Sequence, residues 1–132
     1  MTPNLLMLAL LALAQAPAAT PAPSSPAEIS TFVEALQTCT PARAATPHPL
    51  MRGFIVEHTI TGPAAERCDY RQTMPGKMAM VCAFSPEGRK AMASELSVYA
   101  KGGTVAGSTS SAKAGWSREC LLELPDGKRQ PM

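Results

Sequence analysis

Four cysteines are the residues of this chain with the clearest chemistry. Cys39, Cys68, Cys82 and Cys120 lie downstream of an apolar N-terminal run, residues 5–14, in a chain of 132 residues. An even number of cysteines in a short exported chain predicts a disulfide framework, because disulfides persist mainly outside the reducing cytoplasm. The C-x-x-C spacing of redox enzymes is absent, and no histidine lies close to a cysteine to complete a zinc site. We therefore predict two structural disulfides, with no metal and no other cofactor.

The pairing of four cysteines has three solutions. If residues 74–76 form a three-residue hairpin turn, Cys68 and Cys82 lie opposite each other on one face of the hairpin, close enough for a disulfide. Cys39 then pairs with Cys120 and ties the two ends of the domain together. The main alternative pairs Cys39 with Cys68 and Cys82 with Cys120, and the sequence leaves it open.

Methionines form a second candidate site. Met74, Met78 and Met80 cluster around the same hairpin, and His58 lies on the neighbouring predicted strand. Thioethers are soft ligands that suit Cu(I), so an extracytoplasmic copper-binding protein is one functional alternative. The alternation of this strand also predicts that Met78 and Met80 point inward and fill the core, which is the interpretation we favour.

Catalytic motifs are missing from the sequence. His48 and His58 are the two histidines, and neither accompanies a serine or cysteine in a recognisable nucleophile motif. No paired-carboxylate motif, phosphate-binding glycine loop or metalloprotease signature occurs. We predict that the protein is not an enzyme and has no catalytic residue.

The N-terminal apolar run is too short to span a membrane and has the length of a signal-peptide core. Ala12 and Ala14 form an A-x-A cleavage site, which predicts a signal peptide over residues 1–14 and a periplasmic or secreted mature protein. Residues 15–27 are rich in Ala, Pro, Ser and Thr, a composition typical of a disordered linker. One domain then occupies residues 28–125, and a polar tail follows at 126–132.

Hydrophobic periodicity predicts an α+β fold for this domain. It indicates a helix over residues 27–38, a loop over 41–50, and a three-stranded antiparallel meander over 53–61, 67–73 and 77–84. A second helix begins at Ser85-Pro86-Glu87, where serine can cap free amides and proline suits the first helical position, and runs to about residue 100. A final strand over residues 116–124 rejoins the sheet.

Charge and surface pattern favour a binding role. The formal net charge is +2 without a basic block, which disfavours nucleic acid as the partner. Ala79, Val81 and Ala83 are small or apolar on the outer face of the predicted hairpin, where a helix of the same chain is the expected cover. Without that cover, the face would suit an unknown protein partner or a second copy of the chain.

We therefore expect an exported, non-enzymatic binding or structural module that acts through protein or envelope contacts, without stable membrane insertion. A homo-oligomer is compatible with this expectation. A secreted enzyme inhibitor that presents the loop over residues 103–114 is the remaining alternative.

Overall fold

The computed structural model describes residues 22–103 and 115–132. Two helices, α1 (Pro26–Thr38) and α2 (Pro86–Ala100), accompany a sheet of six strands. The strands are β1 (Ala42–Pro47), β2 (Ile55–Ala64), β3 (Arg67–Met74), β4 (Met78–Phe84), β5 (Cys120–Glu123) and β6 (Arg129–Pro131). The predicted α+β class and both predicted helices are confirmed, while the sheet has more strands than the pattern indicated.

The sheet is antiparallel throughout, and its spatial order follows the chain from β1 to β6. Both helices pack against the same face of it. Residues of α1 and α2 share one buried cluster with strand residues, namely Ile29, Phe32, Leu36, Met92, Ala93, Leu96, Ile60, Cys68, Tyr70, Met80, Cys82 and Phe84. Burial of apolar side chains between the helices and this one face therefore forms the core.

Two strands lie where the sequence pattern predicted none. β1 falls in the predicted loop over residues 41–50, and β6 falls in the predicted tail. Ser24, assigned to the linker by composition, donates its backbone N–H to Ala45 O at 2.8 Å and covers the outer edge of β1. The predicted final strand is shorter than expected, because Ser117–Glu119 forms a 3-10 turn before β5 begins.

The predicted hairpin turn is displaced by one residue along the chain. Residues 75–77 join β3 to β4, with Met74 opposite Met78 and both Gly76 and Lys77 at positive φ. As a consequence Cys68 lies opposite Phe84, two positions away from the register that would place it opposite Cys82.

All four cysteines form disulfides, but the favoured pairing is wrong. Cys39 is bonded to Cys68, and Cys82 is bonded to Cys120. The first bond joins the end of α1 to β3, and the second joins directly opposed residues of β4 and β5. The predicted pairs Cys68–Cys82 and Cys39–Cys120 do not form, because the displaced turn moves Cys68 away from the position opposite Cys82.

The start of α2 is held by a carboxylate from the end of the domain. Glu119 Oε2 accepts a hydrogen bond from Ser85 N, and Oε1 accepts one from Ser85 Oγ, both at 2.9 Å. Arg67 Nη1 also donates to Oε2, at 2.6 Å. The predicted cap is confirmed, since Ser85 Oγ accepts from Gly88 N at 3.1 Å. A carboxylate at the positive end of the helix dipole thus ties α2 to β3 and β5.

Gly88→Ala is expected to destabilise the protein by about 1–3 kcal/mol, although glycine-to-alanine changes inside helices usually stabilise by about 1 kcal/mol. A Cβ on Gly88 would collide with Glu119 Oε1 and would meet Phe84 Cδ1 at 3.1 Å. Urea unfolding followed by circular dichroism measures the effect. Ser94→Ala, at an exposed position of α2, is the control and should not destabilise. An increase in the free energy of unfolding of Gly88→Ala would contradict the close approach of Glu119 and Phe84 to position 88.

Candidate functional site

The face of the sheet opposite the helices is a broad uncovered surface among the described residues. Its side chains alternate with the core residues along each strand. We call it the open face, and it comprises Arg43, Glu57, Thr59, Asp69, Arg71, Thr73, Ala79, Val81, Ala83, Leu121, Glu123 and Arg129. The expectation that a helix covers Ala79, Val81 and Ala83 is wrong for α1 and α2, because both pack on the other side.

The middle of the open face is apolar. Val81 and Leu121 are directly opposed across β4 and β5. Ala83 flanks Val81 on its own strand and is half-buried, whereas Ala79 on the other side of Val81 is buried, 3% exposed, and adds no accessible area. Leu121 is 39% exposed, which makes it one of the few large apolar side chains left in contact with solvent. This centre can bury further area only against a second molecule or another segment.

Ordered ion pairs border this apolar centre. Arg71 Nη2 donates to Glu123 Oε1 at 2.8 Å, and Arg129 Nε donates to Glu123 Oε2 at 3.1 Å. These two hydrogen bonds lower the pKa of Glu123 below its ordinary value, and the bond from Arg71 has the larger effect. Both arginines remain about half exposed. The polar border is therefore arranged before any partner arrives, which lowers the entropy cost of association.

Two concavities flank Arg71 on the open face. One, of about 270 Å³, is lined among others by Asp69, Val81 and Leu121, and the other, of about 430 Å³, lies beside Arg43. Arg43 and Asp69 form no ion pair within residues 22–103 and 115–132. Glu57 is likewise in no ion pair within these ranges, so the surface offers one basic and two acidic groups to a partner.

A chain of hydrogen bonds crosses the buried side of the sheet. Tyr70 Oη donates to Gln72 Oε1 at 2.9 Å, so its oxygen accepts from His58 Nδ1, 2.6 Å away. His58 Nε2 then accepts from Thr46 Oγ1 at 2.8 Å. Both ring nitrogens of His58 are therefore engaged, and the neutral ring is held in one tautomer.

Burial shifts the acid–base properties of this chain of residues. His58 is 3% exposed, and desolvation lowers its pKa from 6.5 to about 4. Desolvation and, next, the negative charge of Glu95 raise the pKa of Tyr70 well above its ordinary value. The Thr46–His58 contact has the form of a nucleophile–base pair, but a buried base with so low a pKa is poorly matched to proton transfer near neutral pH.

A cavity of about 180 Å³ lies between this polar chain and α2. Thr46, His58 and Gln72 line it from the sheet. Glu95 of α2 borders it and accepts a hydrogen bond from Trp116 Nε1 at 2.7 Å. The remaining lining residues are the imidazole of His48 and the apolar or aromatic side chains of Pro49, Val56, Met92, Leu96, Tyr99 and Trp116.

The prediction that Met78 and Met80 both fill the core is confirmed for Met80 only, because Met78 is half-buried and is not part of the core cluster. Met80 is buried in the main core, and Met74 and Met78 oppose each other, half-buried, at the end of the hairpin. His58, the fourth candidate ligand, has no free ring nitrogen. Among the described residues, no group of three His, Cys, Asp or Glu side chains is placed to hold a metal ion.

Other sequence-based candidates have different outcomes. His48 lies in the loop after β1, where its Nδ1 accepts hydrogen bonds from the backbone N–H groups of Leu50 and Met51 at 3.1 and 2.9 Å. The signal peptide over residues 1–14 lies outside the described residues, as does the loop proposed for an inhibitor, apart from its first residue. No helix in the described ranges is both long and apolar enough to cross a membrane.

Comparisons with protein-family models, curated proteins and solved structures find no match for this chain.

Proposed function

We propose that this protein is an exported, non-enzymatic binding module that recognises a protein partner through the open face. The observation that carries the proposal is the packing of both helices on one side of the sheet, which leaves Val81 and Leu121 uncovered between ordered ion pairs. An apolar centre with a polar, arginine-containing border is the usual anatomy of a protein interface. The two disulfides are compatible with the predicted location outside the cytoplasm.

The charges of the open face indicate which partner it suits. Three arginines and three carboxylates share it, namely Arg43, Arg71, Arg129, Glu57, Asp69 and Glu123. Equal numbers of both signs give no net attraction for the phosphates of a nucleic acid. The fitting partner is a polypeptide surface of mixed charge, with apolar side chains against Val81 and Leu121, an acidic group at Arg43 and a basic group at Asp69.

Leu121→Glu is expected to weaken capture of the partner at least tenfold, because it places a charge in the apolar centre of the interface. Val98→Glu is the matched control: Val98 on α2 is 38% exposed, against 39% for Leu121, and lies away from the open face. Quantitative pull-down from the native envelope, with the disulfides intact, compares both variants with the original chain for the same captured protein.

The comparison separates this surface from the rest of the molecule. Loss of capture in Leu121→Glu alone, with unchanged circular dichroism, supports the open face. Equal capture by both variants, or loss in Val98→Glu alone, contradicts it. If the captured protein is a second copy of this chain, the open face forms a homodimer and does not bind a different protein.

The copper alternative is also testable, and the packing of Met80 and the two bonds of His58 disfavour it. We expect Cu(I) titration of the original chain to detect no sub-micromolar site that depends on these methionines. Any such binding should persist when Met78 and Met80 are both changed to leucine.

A further inference from the structure

The loop between β1 and β2, residues 48–54, carries the most exposed large apolar side chain of the described residues. Leu50 is 89% exposed, and its neighbour Met51 is 46% exposed. We propose that this apolar tip enters the surface of an anionic lipid bilayer, while basic residues around it contact the lipid headgroups. The inference is independent of the proposed function, because the loop lies at one end of the sheet and not on the open face.

The loop holds its apolar tip in a defined conformation. Nδ1 of His48 accepts hydrogen bonds from the backbone N–H groups of Leu50 and Met51, at 3.1 and 2.9 Å. The backbone N–H of His48 donates to Phe54 O at 2.9 Å, and the two rings pack edge to face with centroids 5.8 Å apart. These contacts order the base of the loop and leave the tip in solvent. Little conformational entropy is therefore lost when the tip is buried.

Two other turns and the end of α2 lie at the same end of the sheet. The sheet is antiparallel and its spatial order follows the chain, so the β1–β2, β3–β4 and β5–β6 connections share one end. The last turn of α2 reaches the same place, because Tyr99 Oη donates to Pro47 O at the end of β1, 3.4 Å away. We call these four segments, residues 48–54, 75–77, 101–103 and 124–128, the basic end.

The basic end has an excess of positive charge. It contains one acidic residue, Asp126, and four exposed basic residues, namely Arg52, Lys77, Lys101 and Lys128. Glu28 adds a second carboxylate from the start of α1, which Ser24 joins to β1. All 10 Asp and Glu residues of the chain lie in the described ranges. The residues outside those ranges therefore contain no acidic side chain that would neutralise these cations.

The opposite end of the sheet has neither feature. The charged residues of its described connections, 39–41, 65–66 and 115–119, are Glu66, Arg118 and Glu119. None of the exposed large apolar side chains of the described residues lies in those connections. Exposed apolar area and positive charge thus coincide at one end of the domain.

This combination fits an anionic bilayer. The surface potential of anionic lipids attracts each nearby Lys or Arg, which raises binding about fivefold per residue. Apolar side chains gain further free energy by entering the boundary between headgroups and acyl chains. A protein partner would need an acidic surface with a pocket shaped to the protruding Leu50, whereas a fluid bilayer receives the tip without a matching shape. The contact is interfacial and reversible, since only two apolar side chains enter.

Vesicle co-sedimentation at physiological salt, with the disulfides intact, tests the lipid preference. The vesicles contain phosphatidylcholine alone, or phosphatidylcholine with about one-third phosphatidylglycerol. We expect binding to the anionic vesicles and at least tenfold weaker binding to the neutral ones. Leu50→Ser combined with Met51→Ser should weaken binding to the anionic vesicles at least tenfold. Leu121→Ser, an apolar change on the open face, is the matched control and should bind like the original chain.

A second pair of variants tests the charges. Arg52→Gln combined with Lys101→Gln should weaken binding to the anionic vesicles at least tenfold. Lys90→Gln combined with Arg118→Gln removes the same charge near the opposite end, beyond the range of screened interactions, and should change binding little. Circular dichroism establishes that each variant is folded.

Fluorescence at a single position tests the contact directly, whatever residues 1–21 contribute to binding. An environment-sensitive fluorescent amino acid at position 50 should shift to the blue on anionic vesicles, and the same residue at position 66 should not. No binding to anionic vesicles at millimolar lipid, an unshifted spectrum at position 50, or equal losses in both charge variants overturns the proposal. Capture of a protein through Leu50 in the absence of lipid also overturns it.

Discussion

Replacing Cys82 and Cys120 together by alanine is expected to lower the free energy of unfolding by about 3.9 kcal/mol, and replacing Cys39 and Cys68 by about 3.6 kcal/mol. These values follow from the loops that the bonds close, which span 38 and 29 residues. All four cysteines are buried, so alanine avoids the burial of a serine hydroxyl. A domain of this size is typically stable by about 5–15 kcal/mol, so loss of both bonds should leave little or no folded protein at 37 °C.

Urea denaturation of the oxidised protein and of each double variant measures these changes. Tryptic peptide mapping without reduction provides the control for pairing, because a basic residue lies between every two successive cysteines. The map should join the Cys39 peptide to the Cys68 peptide and the Cys82 peptide to the Cys120 peptide. A link between the Cys68 and Cys82 peptides, or a cost below about 1 kcal/mol for either pair, would contradict the structure.

Acidification from pH 6.5 to pH 4 is expected to remove up to about 3 kcal/mol of stability through His58 alone. Burial lowers the pKa of this histidine from 6.5 to about 4 in the folded state. Between these two values the unfolded chain binds a proton at His58 and the folded chain does not, so the free energy of unfolding rises with pH. The loss of stability through His58 is complete below about pH 4, and there is no loss above pH 6.5.

His58→Gln isolates this contribution from that of the carboxylates. Glu28 and Glu123 also have lowered pKa values and lose stabilising interactions in acid, but they do so equally in both proteins. The difference in unfolding free energy between the original chain and His58→Gln should therefore shrink steadily from pH 6.5 to pH 4. Parallel pH profiles would show that the histidine is not buried in the neutral form.

Local sequence signals predicted the helices well: hydrophobic periodicity indicated α1, and a start signal indicated α2, while the capping box of α1 was a further signal that went unused. Ser25 and Glu28 form a capping box at the start of α1, and Ser85 followed by Pro86 begins α2. The strands β2 to β4 were also recognised, since β-branched and aromatic residues alternate there with polar ones. These features depend on residues within one element, so sequence periodicity is enough to detect them.

The strands at both edges of the sheet escaped prediction for different reasons. In β1, Ala44, Ala45 and Thr46 are all buried, so the usual alternation is hidden. α1 packs near one face of this strand, and Ser24 is hydrogen-bonded to Ala45 at its outer edge. β6 follows a Pro125-Asp126-Gly127 turn, in which Asp126 Oδ1 accepts from Lys128 N. That tripeptide is a recognised turn signal and would have indicated the last hairpin.

The disulfide pairing and the polar interior depend on register and tertiary packing. A displacement of one residue in the turn between β3 and β4 changes every cross-strand pair. His58, Tyr70 and Gln72 meet because β2 and β3 align at this register. The inward position of Gln72, on the same face as Cys68, was the available signal for a buried polar group. Glu95 joins them only through the packing of α2.

Site-specific photo-cross-linking tests most directly whether the open face recognises a protein. A photoreactive residue is placed at position 121 on the open face or at position 98 on α2, and the chain is irradiated in its native envelope. We predict that position 121 gives a cross-link to one defined protein, mapped by mass spectrometry to a segment of mixed charge, and that position 98 gives none. A cross-link from position 98 with none from position 121 would contradict the assignment of the open face as the binding surface.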